Sequence, residues 1–194
     1  MKKLNLLCLM LGAFFLTGCS TVNVNSYSKN EVESDYDCEY EFKKGSGYYL
    51  DDGPKKAPVD INKNGEPIPK KEKLIAAANK PYKIFGKDYY PKNKLDGSVQ
   101  VGMGSWYGTK YNGKKTSSGE TYDMFKMSAA SPILPILSYA RVTNLENNRS
   151  VIVRINDRGP FLSDRIIDLS FLAACRLDYV NKGTAKLKVE SIIP

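Results

Sequence analysis

The chain has 194 residues, 42% apolar and 26% charged, which suffices for one compact domain with attached segments and falls short of two full domains. It contains no histidine, and this excludes every mechanism that needs imidazole as base, proton shuttle or metal ligand, Ser-His-Asp triads and most zinc enzymes among them. The net charge of +8 suits an anionic polymer as partner, and the compartment decides which one.

Lys2 and Lys3 precede an apolar run over 4–16 that is short for a bilayer span and built like the h-region of an export signal. It ends in Leu16-Thr17-Gly18-Cys19, where small residues admit a peptidase and a thiol can take a diacylglycerol. This is similar to the lipobox of bacterial lipoproteins and implies cleavage before Cys19, with acyl chains at Cys19 giving durable membrane anchoring. Ser20 is not the aspartate that retains such proteins in the inner membrane, so the expected address is the periplasmic face of the outer membrane. Loss of Lys2 and Lys3 leaves a net +6. Export removes nucleic acid as a partner and leaves anionic glycans and lipids.

The expected organisation is a signal peptide over 1–18, a lipidated tether with docking segments over 19–97, and a domain over 98–194. The tether is poor in apolar periodicity and rich in Lys, Asp, Asn, Pro and Gly. Acidic residues occupy every odd position from Glu31 to Glu41, a pattern an extended chain tolerates only with that face in water. Two islands, 47–54 and 79–87, set aromatics between turn residues and are expected to clip onto the main domain. With Cys8 in the leader and Cys19 lipidated, Cys38 and Cys175 remain, either as one long-loop disulfide or as two separate thiols.

The C-terminal half reads mostly as short strands. They are predicted over 98–107, 139–144 and 150–156, the last two flanking the turn signal Asn147-Asn148. Val151, Val153 and Ile155 alternate with Ile152, Arg154 and Asn156, so this strand delivers polar groups to a rim. Ser170 is placed to cap a short helix over 171–177, with Phe171, Ala174 and Leu177 as its apolar stripe. A closing strand follows at 186–192. Several strands with one clear helix favour a small β-barrel.

Two clusters carry the chemistry. In Arg154-Ile155-Asn156-Asp157-Arg158-Gly159-Pro160-Phe161, a carboxylate follows a buried strand into a Gly-Pro turn, flanked by guanidinium groups able to hold it ionised and attract an anionic substrate. The same Asp157 also reads as an Asx-turn residue that only caps the loop. Residues 104–108 and 111–123 combine Trp106, Tyr107 and Tyr111 with glycines, as a groove for pyranose rings requires. Trp106 reads equally as plain core. Glu120 is a candidate second carboxylate. Four scattered cysteines without histidine form no metal site, and no cofactor is expected.

The spans SWYG (105–108), NGKKTSSGETYDM (112–124), LP (134–135), SYARVTNLENNRSVIVRINDRGPF (138–161) and RIIDLS (165–170) closely resemble the rare lipoprotein A (RlpA) family of lytic transglycosylases. The resemblance covers nearly all of 98–194 and implies a six-stranded double-psi β-barrel with short helices, preceded by an extended N-terminal tether. It implies endolytic cleavage of peptidoglycan glycan strands, preferably peptide-free ones, giving 1,6-anhydro-muramoyl ends. Carried over by motif, Asp157 is the acid and then the base, Glu120 assists, and Ser131 occupies the position of the family histidine. Trp106, Tyr107, Tyr111 and Arg158 are the expected substrate-binding residues. The resemblance ends at the barrel, short of the SPOR domain of many relatives, so no division-site targeting is expected. Ser131 also motivates a second reading, a non-catalytic glycan-binding lipoprotein on the same barrel.

Overall fold

A computed structural model describes residues 36–40, 52–162 and 164–194. Cys19 and most of the 47–54 island and acidic run lie outside the described residues.

Six strands close into a barrel in the order β3, β7, β4, β6, β5, β8: β3 (Val99–Tyr107), β4 (Ser128–Ala130), β5 (Ser138–Asn144), β6 (Ser150–Asp157), β7 (Ile167–Ser170) and β8 (Thr184–Ser191). The contacts β3–β7 and β4–β6 are parallel, and the other four are antiparallel. Along β6, Val151, Val153 and Ile155 fill the interior while Ile152 and Arg154 lie on the partly exposed face, as the sequence alternation requires. The β5–β6 connection runs through Asn148 at φ 61°, a left-handed conformation that asparagine tolerates better than most residues. β4 and β7 escape a propensity reading because they are three and four residues long and one of them is Ser-Ala-Ala.

The helix α1 (Phe171–Arg176) begins where expected, with the Ser170 hydroxyl accepting from the Ala173 amide at 3.3 Å. The single apolar stripe is a correction, since all six helical residues are buried. One side packs on the barrel, with Phe171 edge-on to Trp106 at 5.6 Å. The other is covered by the N-terminal segment: Tyr40 meets Phe171 at 4.7 Å, Cys38 and Cys175 form a disulfide, and the Arg176 guanidinium donates to the carbonyls of Asn62 and Asn64.

The same segment clips on at further points. Asp52 is buried and accepts from the amides of Gly108 and Lys110 at 2.8 and 2.7 Å, and its own carbonyl accepts from Thr109. Gly108 is required there, because a Cβ would stand 2.2 Å from the Asp52 carbonyl oxygen. Further along, Glu66 accepts from the Ile152 amide, and Asn79 both accepts from the Ile136 amide and donates to its carbonyl. A hairpin of β1 (Tyr82–Ile84) and β2 (Lys87–Tyr89) then stacks Tyr82 on Tyr89 at 5.0 Å, and Phe161 packs edge-on against both rings.

The Cys38–Cys175 bridge closes a loop with a sequence separation of 137, which restricts the unfolded chain strongly. Replacing both cysteines by serine is expected to lower stability by about 2–4 kcal/mol, seen as a fall in Tm on thermal denaturation. An unchanged Tm would show that the bridge adds nothing to the fold.

Candidate active site

The insertion of β4 between β6, to which it is parallel, and β7, to which it is antiparallel, makes the site. Ala130 is the register partner of Asp157 on one side and of Asp168 on the other. A register shift between Ala129 and Ala130 on the β6 side brings Asp157 opposite Ala130, so both carboxylates stand across from one residue, two strand spacings or roughly 10 Å apart at Cα. A cavity of about 290 Å³ opens over them, lined among others by Phe85, Tyr111, Ala130, Asp157, Phe161 and Asp168.

The two carboxylates are held differently. Asp157 Oδ1 accepts three hydrogen bonds, from the Ser117 amide (2.8 Å), the Ser117 hydroxyl (2.7 Å) and the Arg158 amide (2.8 Å). Its Oδ2 accepts none from the described residues. Asp168 accepts from Arg165 Nη1 at 2.8 Å, and its side chain is 17% exposed. Burial pushes its carboxyl up to about 6, against the pull of Arg165. Sequence reasoning missed Asp168 as a site residue. The signal was present: a lone carboxylate inside the apolar run Ile166-Ile167-Asp168-Leu169 must be either paired or functional.

Glu120 is not among the residues that line this cavity. It lines a neighbouring cleft of about 630 Å³ with Lys63, Lys126, Arg154 and Asn156. There Arg154 forks between two carboxylates, with Nη1 reaching both Glu120 oxygens at 2.5 Å and Nε and Nη2 reaching Glu72 at 3.0 and 2.8 Å. Asn156 Nδ2 donates to Glu120 at 2.9 Å. Burial raises the Glu120 carboxyl, but hydrogen bonds from Arg154 and Asn156 outweigh that and hold it below its usual range. The Arg154 hydrogen bonds hold Glu72 down at about 2. The Thr116 amide donates to the Glu120 carbonyl and closes the loop that carries Ser117 onto Asp157, and Asn156 precedes Asp157 on β6.

Four further expected residues are placed differently. Ser131 is fully buried, and its hydroxyl accepts from the amides of Leu134 (3.1 Å) and Ile133 (3.4 Å), capping a turn and offering nothing to the cavity. Arg158 borders the cavity, but its guanidinium is spent on the carbonyls of Ala78, Ser131 and Leu134 and on Asn79 Oδ1, pinning the N-terminal segment to the rim. Burial lowers its pKa. Trp106 is 1% exposed and donates its indole N–H to the Val180 carbonyl, so the core reading holds over the sugar platform. Tyr107 is likewise buried, stacked on Tyr122 at 4.2 Å. All three aromatics border the cavity, and Tyr111, 36% exposed, is the one of them with an open ring. Among the described residues no group of three His, Cys, Asp or Glu side chains is placed to hold a metal.

The family model described as lytic transglycolase matches residues 99–189, all of the six-stranded barrel except the end of β8. The relative called endolytic peptidoglycan transglycosylase RlpA in Pseudomonas aeruginosa strain UCBPP-PA14 is 53% identical over 136 residues, covering 70% of this chain and 40% of its own. Its counterpart of the same name in Neisseria meningitidis serogroup B is 53% identical over 131 residues, covering 68% of this chain and 55% of the relative. The chain belongs to the RlpA family. A third relative of that name, from Vibrio cholerae, is 43% identical over 142 residues, covering 73% of this chain and 54% of its own. The chain thus spans about half the length of the curated relatives it matches. The double-psi barrel expected of an RlpA member is the barrel observed.

Because the folded state holds Glu72 at about 2, below the ordinary 4.5, its pairing with Arg154 stabilises the fold above pH 4.5 and is lost as pH falls toward 2. Glu72→Gln is expected to reduce stability by about 2 kcal/mol at pH 7. Urea unfolding should find that difference shrinking steadily below pH 4.5. A pH-independent difference would mean that shape, and not charge, is what Glu72 contributes.

Proposed function

We propose that this chain is an endolytic peptidoglycan transglycosylase of the cell envelope, cutting glycan strands, preferably peptide-free ones, to leave 1,6-anhydro-muramoyl ends. It is anchored by lipid on Cys19 at the periplasmic face of the outer membrane. The observation that carries the reading is a pair of carboxylates, Asp157 and Asp168, across from one residue and lining one cavity. Two carboxylates in unlike environments are the ordinary resource for glycosidic cleavage. The names of the relatives support the same substrate.

In this mechanism Asp168 gives its proton to the glycosidic oxygen, and the C1–O bond breaks with an oxocarbenium-like charge on the muramoyl ring. Asp157 Oδ2 takes the proton of the 6-hydroxyl, whose oxygen attacks C1 and closes the anhydro ring. No water is consumed, and a proton returns from Asp157 to Asp168 through solvent between turnovers. Ser117 and the Arg158 amide fix the Asp157 carboxylate in one orientation, which is the contribution of a positioned base. Glu120, through Asn156 and its loop, positions that base.

Digestion of peptide-free glycan strands followed by mass spectrometry is expected to yield anhydro ends, and Asp157→Asn is expected to slow release by about 10²- to 10⁴-fold. Ordinary reducing ends would refute the mechanism, and binding to peptidoglycan without soluble fragments would favour the non-catalytic lipoprotein.

A second expectation concerns pH. Asp168 faces Arg165 from its own loop, Asp157 from β6, and the phenols of Tyr107 and Tyr179. A donor whose carboxyl titrates at about 6 is protonated below that pH, so the cleavage rate should fall as pH rises through about 6. In Asp168→Asn this limb should vanish along with most of the rate. A variant that keeps the wild-type profile would remove Asp168 from the chemistry.

A further inference from the structure

Phe85 breaks two local rules at once. It joins β1 to β2 in a two-residue turn with Gly86, at φ 48° and 78°, and such primed turns favour Asn-Gly, Asp-Gly or Gly-Gly. Gly86 obeys this preference. Phe85 does not, because a bulky side chain at positive φ crowds its own carbonyl. The ring is also 81% exposed, so burial returns nothing for the strain.

The hairpin does not need that ring to stay in place. Its base is fixed by the Tyr82–Tyr89 stack, by Phe161 packed against both, by the Tyr82 hydroxyl donating to the Pro132 carbonyl at 2.9 Å, and by the Lys92 amide donating to the Ile133 carbonyl at 2.8 Å. These contacts fasten the hairpin to the rim, and Phe85 at its tip lines the cavity of Asp157 and Asp168, as Tyr111 also does. A strained, exposed aromatic beside an acidic pair, on an anchored support, is arranged for a ligand and not for the fold.

We propose that Phe85 is a saccharide-stacking platform, taking the C–H face of a neutral pyranose ring and presenting its glycosidic bond to the two carboxylates, with Tyr111 as the second aromatic wall. The electron-rich face of the ring suits the weakly positive hydrogens of a pyranose face. This rests on the glycan-cleaving reading and adds to it the residue that selects the sugar.

The test compares the full chain with Phe85→Asn and Phe85→Trp. Asparagine suits the turn and removes the ring, whereas tryptophan keeps the platform. Phe85→Asn is expected to have a Tm equal to or above that of the wild type, while KM for peptide-free glycan strands rises about ten-fold, the equivalent of 1.4 kcal/mol of binding. Its kcat should stay within about three-fold, and Phe85→Trp should keep the wild-type KM. An unchanged KM in Phe85→Asn, or a raised KM accompanied by a fall in Tm, would overturn the proposal while leaving the cleavage reading intact. Should the wild type release no products, cleavage fails on its own, and sedimentation with insoluble peptide-free glycan decides the platform: weaker binding by Phe85→Asn upholds it, equal binding overturns it.

Discussion

A strand of three residues, Ser128–Ala130, is the constraint on which the site depends. It runs parallel to β6 and antiparallel to β7, and without it the barrel has two open edges. Ala130 sits opposite Asp157 on one side and Asp168 on the other, and the register shift after Ala129 is what brings Asp157 there. Small side chains on this strand leave the space above it empty, and that space is the cavity. Backbone pairing at the barrel centre is a stiffer support for a reacting group than a loop would be.

Around this centre the charges fall into two neighbouring clefts along β6. Arg154 and Asn156 serve the cleft of Glu120 and Glu72, while Asp157, the next residue, turns to the cavity of Asp168. The guanidinium groups flanking Asp157 in sequence therefore place their hydrogen bonds on other groups. Arg154 ties the segment before the barrel to the loop of Glu120, and Arg158 ties another part of that segment to the turn after β4. Both work as rivets, and Arg158 borders the cavity with its guanidinium already hydrogen-bonded to the protein.

Much of the barrel was legible because long strands carry a period. The alternation of β6, the Ser170 cap and the closing strand each rest on local chemistry that a single sequence displays. β4 and β7 were not legible, since three or four residues hold no period and their pairing is wholly non-local. The motifs of a known family filled that gap. For the site, Asp157 was visible as a carboxylate entering a turn, but its partner depended on register. Glu120 looked closer by motif, and Asp168 looked like part of a strand. Trp106 and Tyr107 illustrate a related limit: composition marks an aromatic as useful to a sugar or to a core, and burial separates the two. Phe85 was hidden because its island was read for docking, and only a backbone angle reveals that the ring is out of place in its turn.

The Cys38–Cys175 bridge also has a mechanical meaning. A pull on the chain from its N-terminal side passes at Cys38 into the sulfur bridge and so directly into the buried helix beside the barrel. The clips at Asp52, Glu66, Glu72 and Asn79 lie beyond that junction and are spared the load. Tension that would otherwise unzip the wrapping segment one contact at a time must instead shear the helix from the barrel, so the aromatic hairpin stays seated while the chain is under strain.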